Sequence, residues 1–300
     1  MNYPDYSFDH HYHSVKGLRL HYLDEYPKNS NGDAEPVVMV HGNPSWSFYY
    51  RKLVLALRDN YRCIVPDHIG MGLSDKPDDE TYHFTLDQRV DDLESLLDHL
   101  DITENITLVL HDWGGMIGLG FATRHPNRIK RLVILNTSAF HLPKGKSVPW
   151  QLKLSRLPVV GAILNQGFNI FARAAVKQCV SRTAMSPEVA AAYLAPYDNW
   201  SHRRAVKKFV FDIPLKPGDT AYETVDQIDK TVSQFSNIPM LICWGLKDFV
   251  FDQHFLDEWE KRFPDAELHR FEDVGHYILE DAPEDVIPLV QQFLHAHPLQ

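Results

Sequence analysis

The chain has 300 residues, 44% of them hydrophobic and 23% charged, with a formal net charge of −10. That length and apolar share allow one large domain or two smaller ones with a substantial core. The acidic balance, without a long basic block, argues against nucleic acid as a partner, and no run of about 18 apolar residues marks an integral membrane segment.

The opening "MNYPDYSFDHHYH" has no apolar h-region, so no signal peptide is expected. Its "HHYH" has no carboxylate or cysteine at ligand spacing, so these histidines are expected at the surface and no metal is expected. Around Lys16-Gly17, "YHSV" and "LRLHYLDE" look like an antiparallel hairpin. Next come "PVVMVHG" (36–42) and "CIVPD" (63–67), short runs of continuous apolar character, the mark of strands buried on both faces of a parallel sheet. In "TLDQRVDDLESLLDHL", Leu86, Val90, Leu93, Leu97 and Leu100 fall at helical spacing, with acids on the other face.

Three further strands follow: "ITLVLHD" (106–112), "RLVILNT" (131–137) and "MLICWG" (240–245). Between the first two, the basic "RHPNRIKR" (124–131) reads as a solvated turn. Strand–helix alternation of this kind builds a mostly parallel sheet with right-handed crossovers. The rhythm breaks over 138–215, where helical, aromatic segments punctuated by Pro and Gly carry no strand signal; this is the expected helical cap, inserted into a core of 1–137 and 216–300. Within it, "LPVVGAILNQGFNIFARAAV" reads as a lid over an apolar pocket, with an amphipathic membrane-surface segment as the alternative. "AELHRFE" and the helix "PEDVIPLVQQFLHAH" close the chain. The three cysteines, Cys63, Cys179 and Cys243, are far apart and without metal-ligand spacing, and two lie in apolar strands. A reduced, cytoplasmic setting is the expectation.

Asp112 occupies the tip of a strand–turn–helix, followed by Gly114-Gly115, where a strained turn exposes its side chain and the next backbone N–H can serve an oxyanion hole. His276, in "EDVGHYILED" after the last strand, is the expected base. Asp248, in "WGLKDFVF", is the expected partner of that imidazole, since carboxylates at strand C-termini lie on the ligand side of an open α/β sheet. Asp252 and Asp273 are local rivals, more consistent with a helix cap or turn. "HGNPSW" (41–46) places Asn43 in a loop beside the site.

Together HGNP, HDWGG, the strand-end Asp and the late GH resemble the haloalkane dehalogenase family of α/β-hydrolases. The resemblance implies an α/β-hydrolase fold with a cap, Asp112 as nucleophile, His276 as activator of water with Asp248 as its partner, and no cofactor. Asn43 and Trp113 would be the halide-stabilising pair. Where some members carry an acid after the strand preceding the cap, this chain has Asn136, which favours Asp248. "HGNPSWSFYYRKLV", "APYDNW" and "HFTLDQRVDDL" are similar to a branch assigned to β-lactone decarboxylation in bacterial long-chain olefin biosynthesis, which implies an apolar small-molecule substrate and association with other olefin-biosynthesis enzymes. A haloalkane dehalogenase is the main alternative. An epoxide hydrolase would need two cap tyrosines, for which Tyr193 and Tyr197 are candidates, and a catalytically inactive small-molecule binding protein is a reading from another class.

Overall fold

The structure is a computed structural model that describes residues 3–28 and 34–299. Eight strands form one sheet: β1 (His11–Val15), β2 (Leu18–Glu25), β3 (Pro36–Val40), β4 (Arg62–Pro66), β5 (Ile106–Asp112), β6 (Ile129–Thr137), β7 (Met240–Gly245) and β8 (Glu267–Phe271). Their order is β1-β2-β4-β3-β5-β6-β7-β8. The β1–β2 hairpin is antiparallel and β2 runs antiparallel to β4, while every pairing from β4 through β8 is parallel. The continuous apolar runs are the five central strands, as a sheet covered on both faces requires.

Side chains alternate between two cores, the consequence of the two-residue strand period. From β5, Leu108 and Leu110 join Val38, Val40 and Ile134 in one core, while Val109 joins Val37, Met39 and Val133 in the other. Helices α1 (Arg51–Leu57), α2 (Leu86–His99) and α3 (Trp113–Arg124) precede the inserted region. The leucine stripe of α2 lies in the first core, with α3 beside it, and α1 lies in the second. Thr85 caps α2, its hydroxyl accepting the Gln88 N–H at 3.2 Å. One acid of α2 departs from the expected solvated face: Asp92 is buried and accepts hydrogen bonds from Tyr82 and Gln88.

After β6 come the short helices α4 (Trp150–Ser155) and α5 (Pro158–Ala162), a π-helical turn at Ile163–Gly167, then α6 (Ile170–Gln178), α7 (Pro187–Leu194) and α8 (Arg204–Phe211). They form a lid over the carboxyl ends of the strands. Helix α9 (Tyr222–Thr231) returns to the body, where its Ile228 packs in the first core with Val90 of α2. Helices α10 (Gln253–Arg262), α11 (Ile278–Asp281) and α12 (Pro283–Ala296) complete the chain.

Buried polar links tie the lid to the body. Arg89 of α2 lies 3.1 Å from Asp212 at the end of α8 and stacks over Phe209. Tyr193 of α7 donates to Glu280 at 2.6 Å, and Glu280 also pairs with the buried Arg51.

The basic run before β6 departs from the expected solvated turn. Arg124 and Arg128 do lie outside, paired with acids of α2, but Arg131 belongs to β6 and is fully buried. Its guanidinium donates to Thr107, Glu35 and the carbonyls of Leu294 and His297. The planar fork matches these fixed acceptors, which makes burial of the charge tolerable.

Helix α3 begins in almost no space. A Cβ at Gly114 would stand 1.9 Å from the Val40 carbonyl oxygen, and one at Gly115 would stand 2.0 Å from Thr137 Oγ1. Only glycine admits this approach of helix to strand ends. Gly114→Ala should therefore destabilise the fold by about 1–3 kcal/mol through overpacking against backbone. Urea unfolding measures this, and an unchanged midpoint would show that the turn can open to take a methyl group.

Candidate active site

The left-handed backbone at the end of β5 creates the site. Asp112 has φ 52° and ψ −127°, an unfavourable region for a residue with a Cβ. The Thr137 hydroxyl donates to the Asp112 carbonyl, and the Asn43 N–H donates to Asp112 Oδ1 at 2.7 Å. The side chain consequently stands at the start of α3, where the helix's free N–H ends favour negative charge.

His276, just beyond β8, has Nε2 3.3 Å from Asp112 Oδ2 and Nδ1 2.7 Å from Asp248 Oδ2. Asp248 follows β7 and is itself held: Oδ1 accepts the N–H groups of Val250 and Phe251, and Oδ2 accepts an amide hydrogen of Asn136 at 3.0 Å. Asn136 is locked in turn by both backbone groups of Gly245. The three charged groups are all buried.

Burial alone would drive the His276 pKa down, but the Asp248 charge and the hydrogen bonds to both carboxylates raise it to about 10. Burial would raise Asp112, yet the hydrogen bond and charge of His276 and the Asn43 N–H bring it below the usual carboxylate value. The resting arrangement is thus carboxylate–imidazolium–carboxylate. His111, beneath His276, behaves oppositely: burial and then the neighbouring imidazolium lower it to about 3, so it stays neutral. Its Nε2–H donates to the His276 carbonyl at 2.9 Å, fixing the backbone that carries that imidazole.

Above these groups is a cavity of about 390 Å³, lined by Asn43, Asp112, Trp113 and His276 from the body and mainly by apolar side chains from the lid. Phe171, Ala174 and Ala175 of α6 line it together with Val210, Ile213 and the aromatic pair Phe249 and Phe251. No helix among the described residues is long and apolar enough to cross a membrane alone.

The structure brings Asp112, His276, Asp248, Asn43 and Trp113 to one place. Asn43 has a more committed amide than the sequence implied: Nδ2 donates to the Val206 carbonyl of α8 at 3.2 Å, while Oδ1 has no partner. Turning the amide would set two oxygens against each other, so the donor must face Val206. Its second hydrogen remains for a ligand, and among the described residues the Trp113 indole N–H makes no hydrogen bond. Asp252 caps α10 and Asp273 pairs with Arg182, so both rivals lie outside the site. Tyr193 points to Glu280, and the Tyr197 hydroxyl lies 3.4 Å from the Ser45 carbonyl; neither lines the cavity, which removes the tyrosine pair an epoxide hydrolase needs.

Sequence reasoning missed the supporting role of Asn136 and His111, and Cys179 as a cavity-lining residue. The HD dipeptide was a signal for His111. Nothing local marks Cys179, which reaches the cavity only because α6 ends there.

The chain matches the alpha/beta hydrolase fold family over residues 35–283 and belongs to that family. It is 55% identical over 287 residues to a cis-3-alkyl-4-alkyloxetan-2-one decarboxylase of Shewanella oneidensis, covering 96% of this chain and 88% of that one. A protein of the same name from Xanthomonas campestris is 48% identical, with both chains covered completely. A haloalkane dehalogenase of Psychrobacter cryohalolentis is 33% identical, covering 99% and 96%. A solved haloalkane dehalogenase from Agrobacterium tumefaciens superposes with TM-score 0.85 at 23% identity over 98% of each chain, a likeness of fold. The protein is an enzyme of the dehalogenase-like part of the α/β-hydrolases, in which its β-lactone decarboxylase relatives also fall.

The electrostatic arrangement has a direct readout. Asp248→Asn removes the charge that holds the His276 proton, so the His276 titration followed by NMR should move down toward the ordinary imidazole value, about 6.5. In the wild type, the raised pKa contributes stability that is full below about pH 6.5 and is lost as pH rises toward 10. An unmoved titration in the variant would mean that Asp248 does not set the charge of His276.

Proposed function

We propose that the enzyme converts a long-chain cis-disubstituted β-lactone, a cis-3-alkyl-4-alkyloxetan-2-one, into an alkene and CO₂. The observation that carries this reading is the 55% and 48% identity to two decarboxylases of that name over nearly the whole chain. The cavity supports it: its walls are mainly apolar, with Asn43, Asp112 and His276 at the end on the body and Lys146, Ser155 and Gln178 the polar residues that the lid adds. Each methylene buried there contributes about 0.8 kcal/mol to binding until the cavity is filled.

In the proposed reaction an Asp112 carboxylate oxygen attacks the ring carbon that bears the ring oxygen. That C–O bond breaks, its electron pair goes to what becomes a free carboxylate, and an alkyl ester forms on Asp112. The remaining Asn43 amide hydrogen and the Trp113 indole N–H receive the new charge. The C–CO₂ bond then breaks, its electrons form the alkene, and the ester C–O bond returns its pair to Asp112. Inversion followed by anti elimination carries the cis lactone to a cis alkene. Lactone equals alkene plus CO₂, so no water is consumed and no proton need move. His276 can therefore remain an imidazolium that orients Asp112 and holds its charge, which fits its raised pKa.

Haloalkane hydrolysis is the second reading, favoured by the 33% identity to a dehalogenase over almost the full chain. There the alkyl ester has no carboxylate with which to fragment. Water must attack it, and His276 must first give up its proton to act as base.

Oxygen-labelled water separates the two. With a long-chain cis β-lactone, we expect alkene and CO₂ and an Asp112 that stays unlabelled in the peptide mass spectrum. A bromoalkane turned over by hydrolysis would place the label in the Asp112 carboxylate. Bromide release with no alkene from any lactone would overturn the proposal. Asp112→Ala should reduce lactone turnover by roughly 10⁴-fold or more; near-normal turnover would remove Asp112 from the chemistry.

A further inference from the structure

The lid differs from the body in charge and in what it exposes. Residues 138–215 contain eleven Lys and Arg against three Asp and Glu, a net +8, while the rest of the chain carries −18. Lys144, Lys153, Arg173 and Lys177 of this segment, and Lys216 beside it, form no ion pair among the described residues; all five side chains are exposed. Apolar exposure is concentrated in the same place. Trp150 is 68% exposed, Val159 70% and Phe168 65%, with Leu157, Val160 and Ile163 exposed between them. Trp200 extends the surface, its ring lying close to Gly167.

Large apolar side chains on a folded surface need an explanation when they cluster. The described body exposes few: Tyr12, Tyr26, Leu55 and, beside the cavity, Phe249. A second copy is thus poorly suited to cover the patch: two lids face to face would set net positive surfaces together, and the body offers little apolar surface in return. The cavity adds the decisive feature. Leu142, Trp150, Ile170, Leu215 and Phe249 both line it and are exposed, so they form a rim where the cavity opens beside the patch.

We infer that the lid is a membrane-docking face that seats in the headgroup region of an anionic lipid surface. Val159, Ile163 and Phe168 enter the boundary of the acyl region while Lys144, Lys153, Arg173 and Lys177 lie among the headgroups, and the acidic body is directed away. The cavity mouth then opens to the lipid instead of to water, and an apolar molecule can pass between bilayer and site without crossing solvent. This arrangement is peripheral: the bent helices from Val159 to Gln178 lie along the surface. It does not depend on which reaction Asp112 performs.

The test uses the full chain and vesicles of phosphatidylethanolamine with phosphatidylglycerol, compared with vesicles of phosphatidylcholine alone. The protein should float with the anionic vesicles, show a blue shift of tryptophan emission, and be released as salt rises past the range where surface charge is screened. Val159→Glu with Phe168→Glu should abolish flotation. Lys153→Glu with Lys177→Glu should weaken partitioning about tenfold or more, since each cation near an anionic surface contributes a factor of about five. Both pairs lie outside the cavity, so turnover of a short, water-soluble substrate should be unchanged, which also shows that the variants fold. Failure to bind anionic vesicles would overturn the inference, as would equal binding to phosphatidylcholine. So would a dimer in light scattering that the Val159→Glu/Phe168→Glu variant dissolves without any vesicle binding, because a second copy would then cover the patch.

Discussion

The site depends on one strained residue. A non-glycine backbone at φ 52° costs about 1–3 kcal/mol and persists only where its surroundings over-determine it. Around Asp112 they do. The glycines after it let α3 press against β3 and β6, Thr137 holds its carbonyl, and Gly42 leaves the room its carboxylate occupies: a Cβ there would stand 2.0 Å from Asp112 Oδ1. An ordinary turn would place the carboxylate as a helix cap facing its own backbone. This one presents it to a cavity, with one oxygen held by the Asn43 N–H and the other facing the imidazole.

The second constraint is the burial of three charges. An isolated buried carboxylate would take up a proton, and a lone buried imidazole would lose one. Placed in line, Asp112 and His276 keep each other ionised, and the chain of contacts extends through Asp248 to Asn136 and the backbone of Gly245. Asn136 carries its own positive φ, 36°, at the end of β6. The two strained residues thus end neighbouring strands, and the hydrogen bonds that hold one end meet those that hold the other. Neutral His111, packed behind His276, contributes position without charge.

Much of this was legible in the sequence because strand ends and elbows have local grammar. The continuous apolar runs of β3 to β7, the hairpin at Lys16-Gly17 and the leucine stripe of α2 follow from period and turn chemistry alone, and HDWGG marks a strand-to-helix turn. Asp248 could be chosen by its place after a strand. What could not be read depends on long-range packing. Arg131 looked like part of a solvated basic run, but the acceptors that allow its burial come from Thr107, Glu35 and the chain end near His297. The amide of Asn43 looked free for a ligand, but half of its donor capacity goes to Val206, 163 residues away in the lid. The lid helices carry their apolar residues on two faces, one toward the cavity and one outward, and periodicity in such short helices does not separate the two.

The Asn43–Val206 contact also joins the lid to the chemistry. Val206 lies on α8, which ends at Asp212, the partner of buried Arg89, and Phe209 between them stacks on the same guanidinium and packs edge-on to Trp113. Both candidate anion donors, Asn43 and Trp113, are therefore oriented by one helix of the lid. Movement of α8 would alter the direction of the Asn43 amide and the wall behind the Trp113 indole together, while leaving Asp112, His276 and Asp248 in place on the strand ends. The body fixes the candidate nucleophile Asp112 and its charge, and the lid fixes the direction of the two candidate donors. Two relatives with the same three charged groups could then differ in the leaving group they favour through the seating of this helix alone, because what a carboxylate expels depends on how well the departing charge is met.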